Sequence, residues 1–528
     1  MTKKICIIIC LLLNFFAFSH ISAKEHVILV NKKVAKLKDT VDLSSPLGAF
    51  TAAMYMQAKG NQSEIFRKIH TFRFSPLGTN FENRKVSQEE KQNILNREVK
   101  QVIYLDDFSA GVITTYGGSE KNEYLLCGIA YEKGKWVNAG EQPAKTLEDA
   151  KSFFKEKLGP SLSAFAKYYS RISAISNDTA AFIGYLQKHS QTPEIFLLNA
   201  LKQHKIVLYG EHHFYEPSWK LMKRLIQMPE FAKTTGTIFL EMKQGGQKRM
   251  DGFMGKKTLD KQLLLDILGG DYQYGWNDKG MYEFLITLWR VNHELPDDKK
   301  IRVIFPDYGV SWLDIKTEED LKHWNQYSFL DRDLNMAGEV EKTLKGSNDS
   351  RNSLFIVGRN HACKHANNVK SVGNILKNRF SDEEVFSIIL HNAWTDNYGN
   401  TYGKVRNGLF DYVFQLNGNR PVALSLQDSP FGEEPCDFEL EYQGIPIDGT
   451  YRENFDGYIF LQPLKEDNVG YFLIEEMYTD NFIDEIKRRC RLTGDEYPYR
   501  GIHLDDFTKE WRINQLKSSE NMKRYPMF

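Results

Sequence analysis

The stretch 205–213, KIVLYGEHH, constrains the fold more than any other part of the chain. Ile206, Val207, Leu208 and Tyr209 are β-branched, apolar or aromatic and do not alternate with polar residues. That is the pattern of a strand buried on both faces, as in a parallel sheet with helices on each side. Gly210 breaks the run, Glu211, His212 and His213 follow, and Pro217 opens a helix. Open parallel sheets bind ligands beyond the carboxyl ends of their strands, so chemistry is expected here.

The pattern recurs downstream. TIFL at 237–240, IRVIF at 301–305, LFIV at 354–357 and VFSIIL at 385–390 read as buried strands. YIFL at 458–461, after Asp456 and Gly457, is a candidate last strand. The intervals are long enough for the helices that right-handed crossovers require, the clearest at 281–293 and 333–344. Residues 161–470 are therefore expected to form an α/β domain, a mainly parallel sheet with helices on both faces. Residues 471–528 are charged and read as a peripheral helical extension.

The chain ahead of this domain has a different rhythm. Ser45 and Pro46 open a helix that should end near Gly60, two long strand pairs occupy 101–116 and 123–142, and a charged amphipathic helix covers 147–158. Residues 24–160 are thus expected to form a small α+β domain. Residues 1–23 carry Lys3 and Lys4, a short apolar run and Ala23 before a cut, the pattern of a secretory signal peptide. The run is shorter than the roughly 20 residues of a spanning helix, and no other stretch is apolar enough to cross. The mature protein is expected to be exported (periplasmic, secreted or surface-associated) without an integral membrane domain.

At 528 residues the chain should hold two or three domains, and 41% hydrophobic with 26% charged residues describes a globular protein. Lys+Arg and Asp+Glu are both 69, which argues against nucleic acid or an anionic membrane surface as partner. Cys127, Cys363, Cys436 and Cys490 remain after the signal, far apart, and spacing selects none of their three pairings.

The strand ends carry the candidate chemistry: Glu211 and His213, then Glu241, Asp307 and His361, with His391 after the fifth strand. A carboxylate beside an imidazole orients it and makes it a better base toward water. The same Glu211, His213, Glu241 and His361 could instead hold a divalent metal such as Zn or Mn. Bland readings stand beside these. Asp307 suits a turn or helix cap, His391 a core histidine, and Cys363 a buried thiol; His212 should point away from His213. An ionised Glu211 in a nearly buried strand exit costs several kcal/mol unless paired, so Glu211 with His213 is the hardest to dismiss.

Four blocks resemble one superfamily: IVLYGEHH at 206–213, FLEMKQGGQKRMD at 239–251, DRDLNMA at 331–337 and FIVGRNH at 355–361. It joins the ChaN-like haem-binding uptake proteins, the TIKI/TraB proteins and the erythromycin esterases. Gly210, Glu211 and His213 match the Gly-Glu-x-His of the ChaN-like branch, and Leu240, Glu241 and Met242 its Leu-Glu-Met. Gln247, Met250 and Asp251 fit the Gln and Leu-Asp-like pair downstream of that motif. Arg332, Asp333, Met336 and Ala337 match its helix, and Gly358 and His361 its Gly-x-x-His. The element order of the first domain is similar to NTF2-like and SnoaL-like domains.

The resemblance implies an EreA/ChaN-like α/β fold over about 195–465 and two functions. One is hydrolysis of an ester or amide bond in a small molecule or peptide, with Glu211, His213, Glu241 and His361 lining the site. The other is haem or iron binding for uptake, with Tyr272, Tyr274 and Trp276 of DYQYGWN supplying ligands and an apolar wall. The hydrolase reading is preferred. His213 stands two residues after the Glu, not the three of the esterases, which favours the ChaN/TIKI side, whereas the Asp456-Gly457 strand is similar to the esterase side, so the sequence does not settle the branch.

Overall fold

The computed structural model describes residues 26–60, 85–119, 122–132, 134–160, 162–163, 166, 179–325, 331–365, 371–395, 402–436, 439–440, 445–446, 449–499, 502–520 and 522–525. The expected signal peptide lies outside the described residues. The chain forms two compact units, one of residues 1–174, 395–402 and 439–446, the other of 175–394, 403–438 and 447–528.

The first unit is a five-stranded antiparallel sheet in sequential order: β1 (His26–Lys33), β2 (Glu98–Tyr104), β3 (Ser109–Ser119), β4 (Asn122–Glu132) and β5 (Lys135–Ala144). The helix Pro46–Lys59 starts where Ser45 accepts from the Gly48 N–H and stops at Gly60, whose φ of 77° suits glycine. Its Ala49, Phe50, Ala53 and Met54 share a core with Val99, Val112, Leu125 and Cys127 of the sheet. Ile103, Ile113 and Leu126, on alternate positions, pack with Ala150 and Phe154 instead. Period-two alternation thus buries both faces of the sheet.

The second unit is a seven-stranded sheet of β6 (Ile206–Glu211), β7 (Thr235–Leu240), β8 (Arg302–Ile304), β9 (Asn352–Gly358), β10 (Val385–Leu390), β11 (Val422–Ser425) and β12 (Gly457–Phe460). Their spatial order is β11-β12-β10-β6-β9-β7-β8. Every neighbouring pair runs parallel except β11 with β12. The edge strand β11 was not among the expected strands, since four residues after Pro421 show no readable pattern. From β6 the chain steps over one position to β7 and β8, returns to fill the gap as β9, then crosses to the other side of β6 as β10. The ends of β6, β9 and β7 therefore stand side by side.

Residues beyond 475 are not peripheral, contrary to expectation. Tyr478, Ile483, Ile486, Cys490, Leu504, Phe507 and Leu516 belong to the core that holds Val207, Tyr209, Ile238 and Leu240. Their charged composition hides an apolar face, and Arg489, Arg512 and Arg524 are themselves buried. Arg489 is fully buried, its Nη1 donating to the carbonyls of Gly269 (2.7 Å), Tyr272 and Gln273 (3.2 Å each). Among the described residues no helix is long and apolar enough to cross a membrane.

Candidate active site

Three strand ends and one helix start build the site. Every residue of β6 is buried, which carries Glu211 to the sheet edge at only 4% exposure. Gly210 just before it has no room for a side chain: a Cβ would lie 2.8 Å from the Ile388 carbonyl oxygen. Glu241 follows β7, and Gly358 ends β9 before the short helix Arg359–Ala362 that carries His361. The helix Arg332–Lys345, capped by Asp331 accepting from Leu334 N–H at 3.1 Å, brings Arg332 and Asp333 in its first turn.

Glu241 is the hub. Its Oε2 accepts from Gly358 N–H at 2.7 Å, its Oε1 accepts from Arg332 Nη2 at 2.6 Å, and His361 Nε2 lies 3.5 Å away. Burial alone would raise the Glu241 pKa, but His361, Arg332, His213 and the Gly358 N–H outweigh it and hold the carboxyl at about 2. His361 is fixed at Nδ1 by Asp333 at 2.7 Å. Burial works to depress its pKa, and the charges of Glu241 and Asp333 raise it nonetheless.

His213 is clamped in the same manner by a hydrogen bond between its Nδ1 and Glu211 Oε1. Among the described residues none of its hydrogen bonds uses Nε2, and the side chain is 37% exposed, so that nitrogen reaches solvent. Desolvation would lower its pKa; Glu211 in contact, with Glu241 and Asp278 behind it, pushes it up to about 9. Glu211 Oε2 is buried without a hydrogen-bond partner among the described residues, an acceptor held ready at the site.

Gly358 joins the two imidazoles. A Cβ there would meet Glu241 Oε2 at 3.3 Å, His213 Cε1 at 3.5 Å and His361 Cδ2 at 3.6 Å. The φ of −54° at Gly358 suits any residue. Gly358→Ala should therefore leave the unfolding midpoint within about 1 kcal/mol of wild type while its methyl fills the space between the three groups. We expect turnover to fall tenfold or more; unchanged turnover in the folded variant would place the reacting atoms elsewhere.

Asp307 is not the turn former or cap its position suggested. It is fully buried, and its Oδ2 accepts from Lys243 Nζ at 2.6 Å and Arg332 Nε at 2.9 Å. Arg332 thus bridges Glu241 and Asp307, with its Nη2 also 3.4 Å from the Tyr272 hydroxyl. Two more buried acids flank the aromatic run 272–276. Asp271 accepts from Lys243 N–H at 2.7 Å, and Asp278 from Trp219 Nε1 at 2.9 Å and Phe214 N–H at 3.1 Å. Burial, reinforced by Asp307 in one case and Glu211 in the other, raises both carboxyls to about 7. The Asp278 bond holds Phe214 at a φ of 60°, a left-handed conformation that costs a bulky residue roughly 1–3 kcal/mol. Phe214 stacks on Trp276, which also meets His213 edge-on at 4.9 Å and Tyr272 at 5.2 Å. One wall beside His213 is therefore aromatic.

The other sequence candidates lie elsewhere. Tyr274 hydrogen-bonds Asp495 and packs on Tyr499, whereas the Tyr272 hydroxyl lies 3.4 Å from Arg332 Nη2. His391 is buried with Nδ1 2.8 Å from the Tyr458 hydroxyl. His212 lies against Arg524. Cys363 is a buried free thiol donating to Asn454 at 3.2 Å, and burial pushes it up to about 12; Cys127, Cys436 and Cys490 are buried too. Asp271, Asp278 and Lys243 escaped sequence reasoning, although both acids border the aromatic run it singled out.

The arrangement does not fit a resident Zn or Mn on Glu211, His213, Glu241 and His361. Among the described residues no group of three or more His, Cys, Asp or Glu side chains is placed to hold a metal ion. The Arg332 guanidinium already supplies the positive charge between Glu241 and Asp307, and a divalent ion beside it would be repelled.

No protein-family model matches the chain, and no curated protein does. Distant likenesses exist among solved structures. A Bacillus cereus protein is 13% identical over 55% of this chain and 98% of its own, with a TM-score of 0.39. A mutant erythromycin esterase, EreC, in its open conformation is 12% identical over 50% of this chain and 92% of its own, with a TM-score of 0.34. A structure described as bacterial protein toxins is 13% identical over 44% of this chain and 46% of its own, with a TM-score of 0.25.

Proposed function

We propose that the protein is an exported hydrolase of an ester or amide bond, acting on a small molecule or peptide with His213 as the base that activates water. The observation that carries this is the clamped imidazole: Nδ1 tied to buried Glu211, Nε2 open to solvent. In that tautomer Nε2 takes a proton from water as the oxygen attacks the carbonyl, and Glu211 holds the imidazolium that forms. Arg332, anchored by Glu241 and Asp307, supplies fixed positive charge for the developing oxyanion, and His361, held at Nδ1 by Asp333, stands beside it as a hydrogen-bonding partner. The aromatic wall of Trp276, Tyr272 and Phe214 favours an apolar or ring-bearing group beside the scissile bond.

The test is turnover of a panel of activated esters and peptides by the mature protein, with His213→Gln as control. Activity absent from both proteins across the panel would sink the reading. The pH profile is a sharper check. The neutral ring is the working form, and His213 keeps its proton up to about 9. Hydrolysis should climb about tenfold per pH unit from neutrality and level off near that value. A flat rate between pH 7 and 9 would assign the base to another group. Export is tested by the mass of the mature protein, which should begin at Lys24 after cleavage behind Ala23.

A further inference from the structure

Two adjacent histidines follow β6, yet they sit in opposite electrostatic settings, and Arg524, far along the chain, touches both. Arg524 is 8% exposed. Its segment is held by two backbone bonds, Val469 N–H to the Met522 carbonyl at 2.9 Å and Arg524 N–H to the Asp467 carbonyl at 2.8 Å. From there the guanidinium makes three kinds of contact. Its Nε donates to the Asn468 carbonyl at 3.0 Å, its Nη2 donates to the carbonyls of Val469 (3.0 Å) and His213 (3.2 Å), and its Nη1 lies on the His212 ring, 3.1 Å from Nε2.

We infer that Arg524 is a positioning residue for His213: it pins the His213 carbonyl and occupies His212, so that only the second imidazole is left to work with Glu211.

The physical case has two parts. A guanidinium is always charged, so a ring it contacts accepts a second proton poorly. His212 is accordingly pushed well below the ordinary range by burial, by Arg524 and Arg359, and by His213 itself. His213 faces Glu211, Glu241 and Asp278, and holds its proton. The second part is geometric. His213 is followed by the left-handed Phe214, a backbone conformation that persists only where its surroundings hold it. Asp278 fixes that turn from one side through Phe214 N–H, and Arg524 fixes it from the other through the His213 carbonyl. The buried acid beside Arg524 is Asp467, whose carboxyl burial raises to about 6 despite the nearby guanidinium.

This role presupposes His213 as the working imidazole, and its test reads proton affinity rather than turnover, so a failed search for substrate leaves the result legible. Deuterium exchange at the imidazole Cε1–H of His212 and His213 is followed against pH in the full chain by fragment mass spectrometry, in wild type, Arg524→Lys and Arg524→Met. Lysine keeps the charge and loses the planar group that reaches three carbonyls and a ring; methionine loses both. If Arg524 positions the ring, the His213 midpoint falls by one pH unit or more in both variants, a tenfold loss of proton affinity, as the contact with Glu211 loosens. His212 then rises into the titrating range with methionine only. Removal of charge without loss of position would move His213 upward instead. A His213 midpoint unchanged or raised in Arg524→Lys overturns the proposal, and that variant suffices if Arg524→Met does not fold.

Discussion

Arg332→Met is expected to destabilise the α/β unit by about 3–5 kcal/mol, read as a lower denaturant midpoint with an unchanged slope. The magnitude reflects the charges the guanidinium would leave behind. Glu241 and Asp307 are 7% and 0% exposed at their side chains, and Arg332 Nη2 stands 2.6 Å from one and 2.8 Å from the other. Asp307 keeps Lys243 at 2.6 Å, whereas Glu241 keeps only the Gly358 N–H and His361. Glu241→Gln in the same chain should therefore recover part of the loss, because it removes the charge that has been stranded. A double variant no more stable than Arg332→Met would show that the guanidinium acts by packing alone.

His213→Gln should lower hydrolysis by about 10²–10⁴-fold, the usual contribution of a positioned general base. Glutamine is chosen over alanine because its amide can still donate to Glu211, which is 4% exposed and already has one oxygen without a partner among the described residues. The unfolding midpoint should fall, because Glu211 loses the imidazolium charge that offsets its burial, but by less than in His361→Gln, since the His213 side chain is 37% exposed. His361→Gln is expected to lose stability as well as rate, because that ring is 7% exposed and spans Asp333 and Glu241. Equal losses of rate in the two variants, with no difference in stability, would contradict separate roles for the two imidazoles.

The elements of the site differ in how far the chain alone discloses them. Ile206–Glu211, Thr235–Leu240 and Val385–Leu390 stand out as strands because an apolar run between helices has few other stable forms, and a polar residue closing such a run marks the sheet edge. Glu211, His213, Glu241 and His361 were legible on that ground. Arg332 was legible only as part of a motif, with nothing to indicate that its guanidinium joins Glu241 to Asp307. Asp307 was misread as a cap because a carboxylate at a strand end has the same local pattern whether it faces solvent or a buried cation. The four residues of β11 were too few to show a period, and Arg489 and Arg524 looked like surface charge because composition does not reveal where a long side chain ends.

What the sequence by itself determined is local: the period of each segment, its caps and breaks, and the polar residues delivered to the strand ends. What only the tertiary structure decided is which of those residues meet. The return of β9 between β6 and β7 sets Gly358 among Glu241, His213 and His361, although these come from three different strand ends far apart in the chain. Partner choice also sets the charges. Glu241 is held near 2 while Asp271 and Asp278 are raised to about 7, all three being buried carboxyls. The physical reason is that burial acts on each of them alike, and the sign of the shift rests on which charges the crossovers bring alongside.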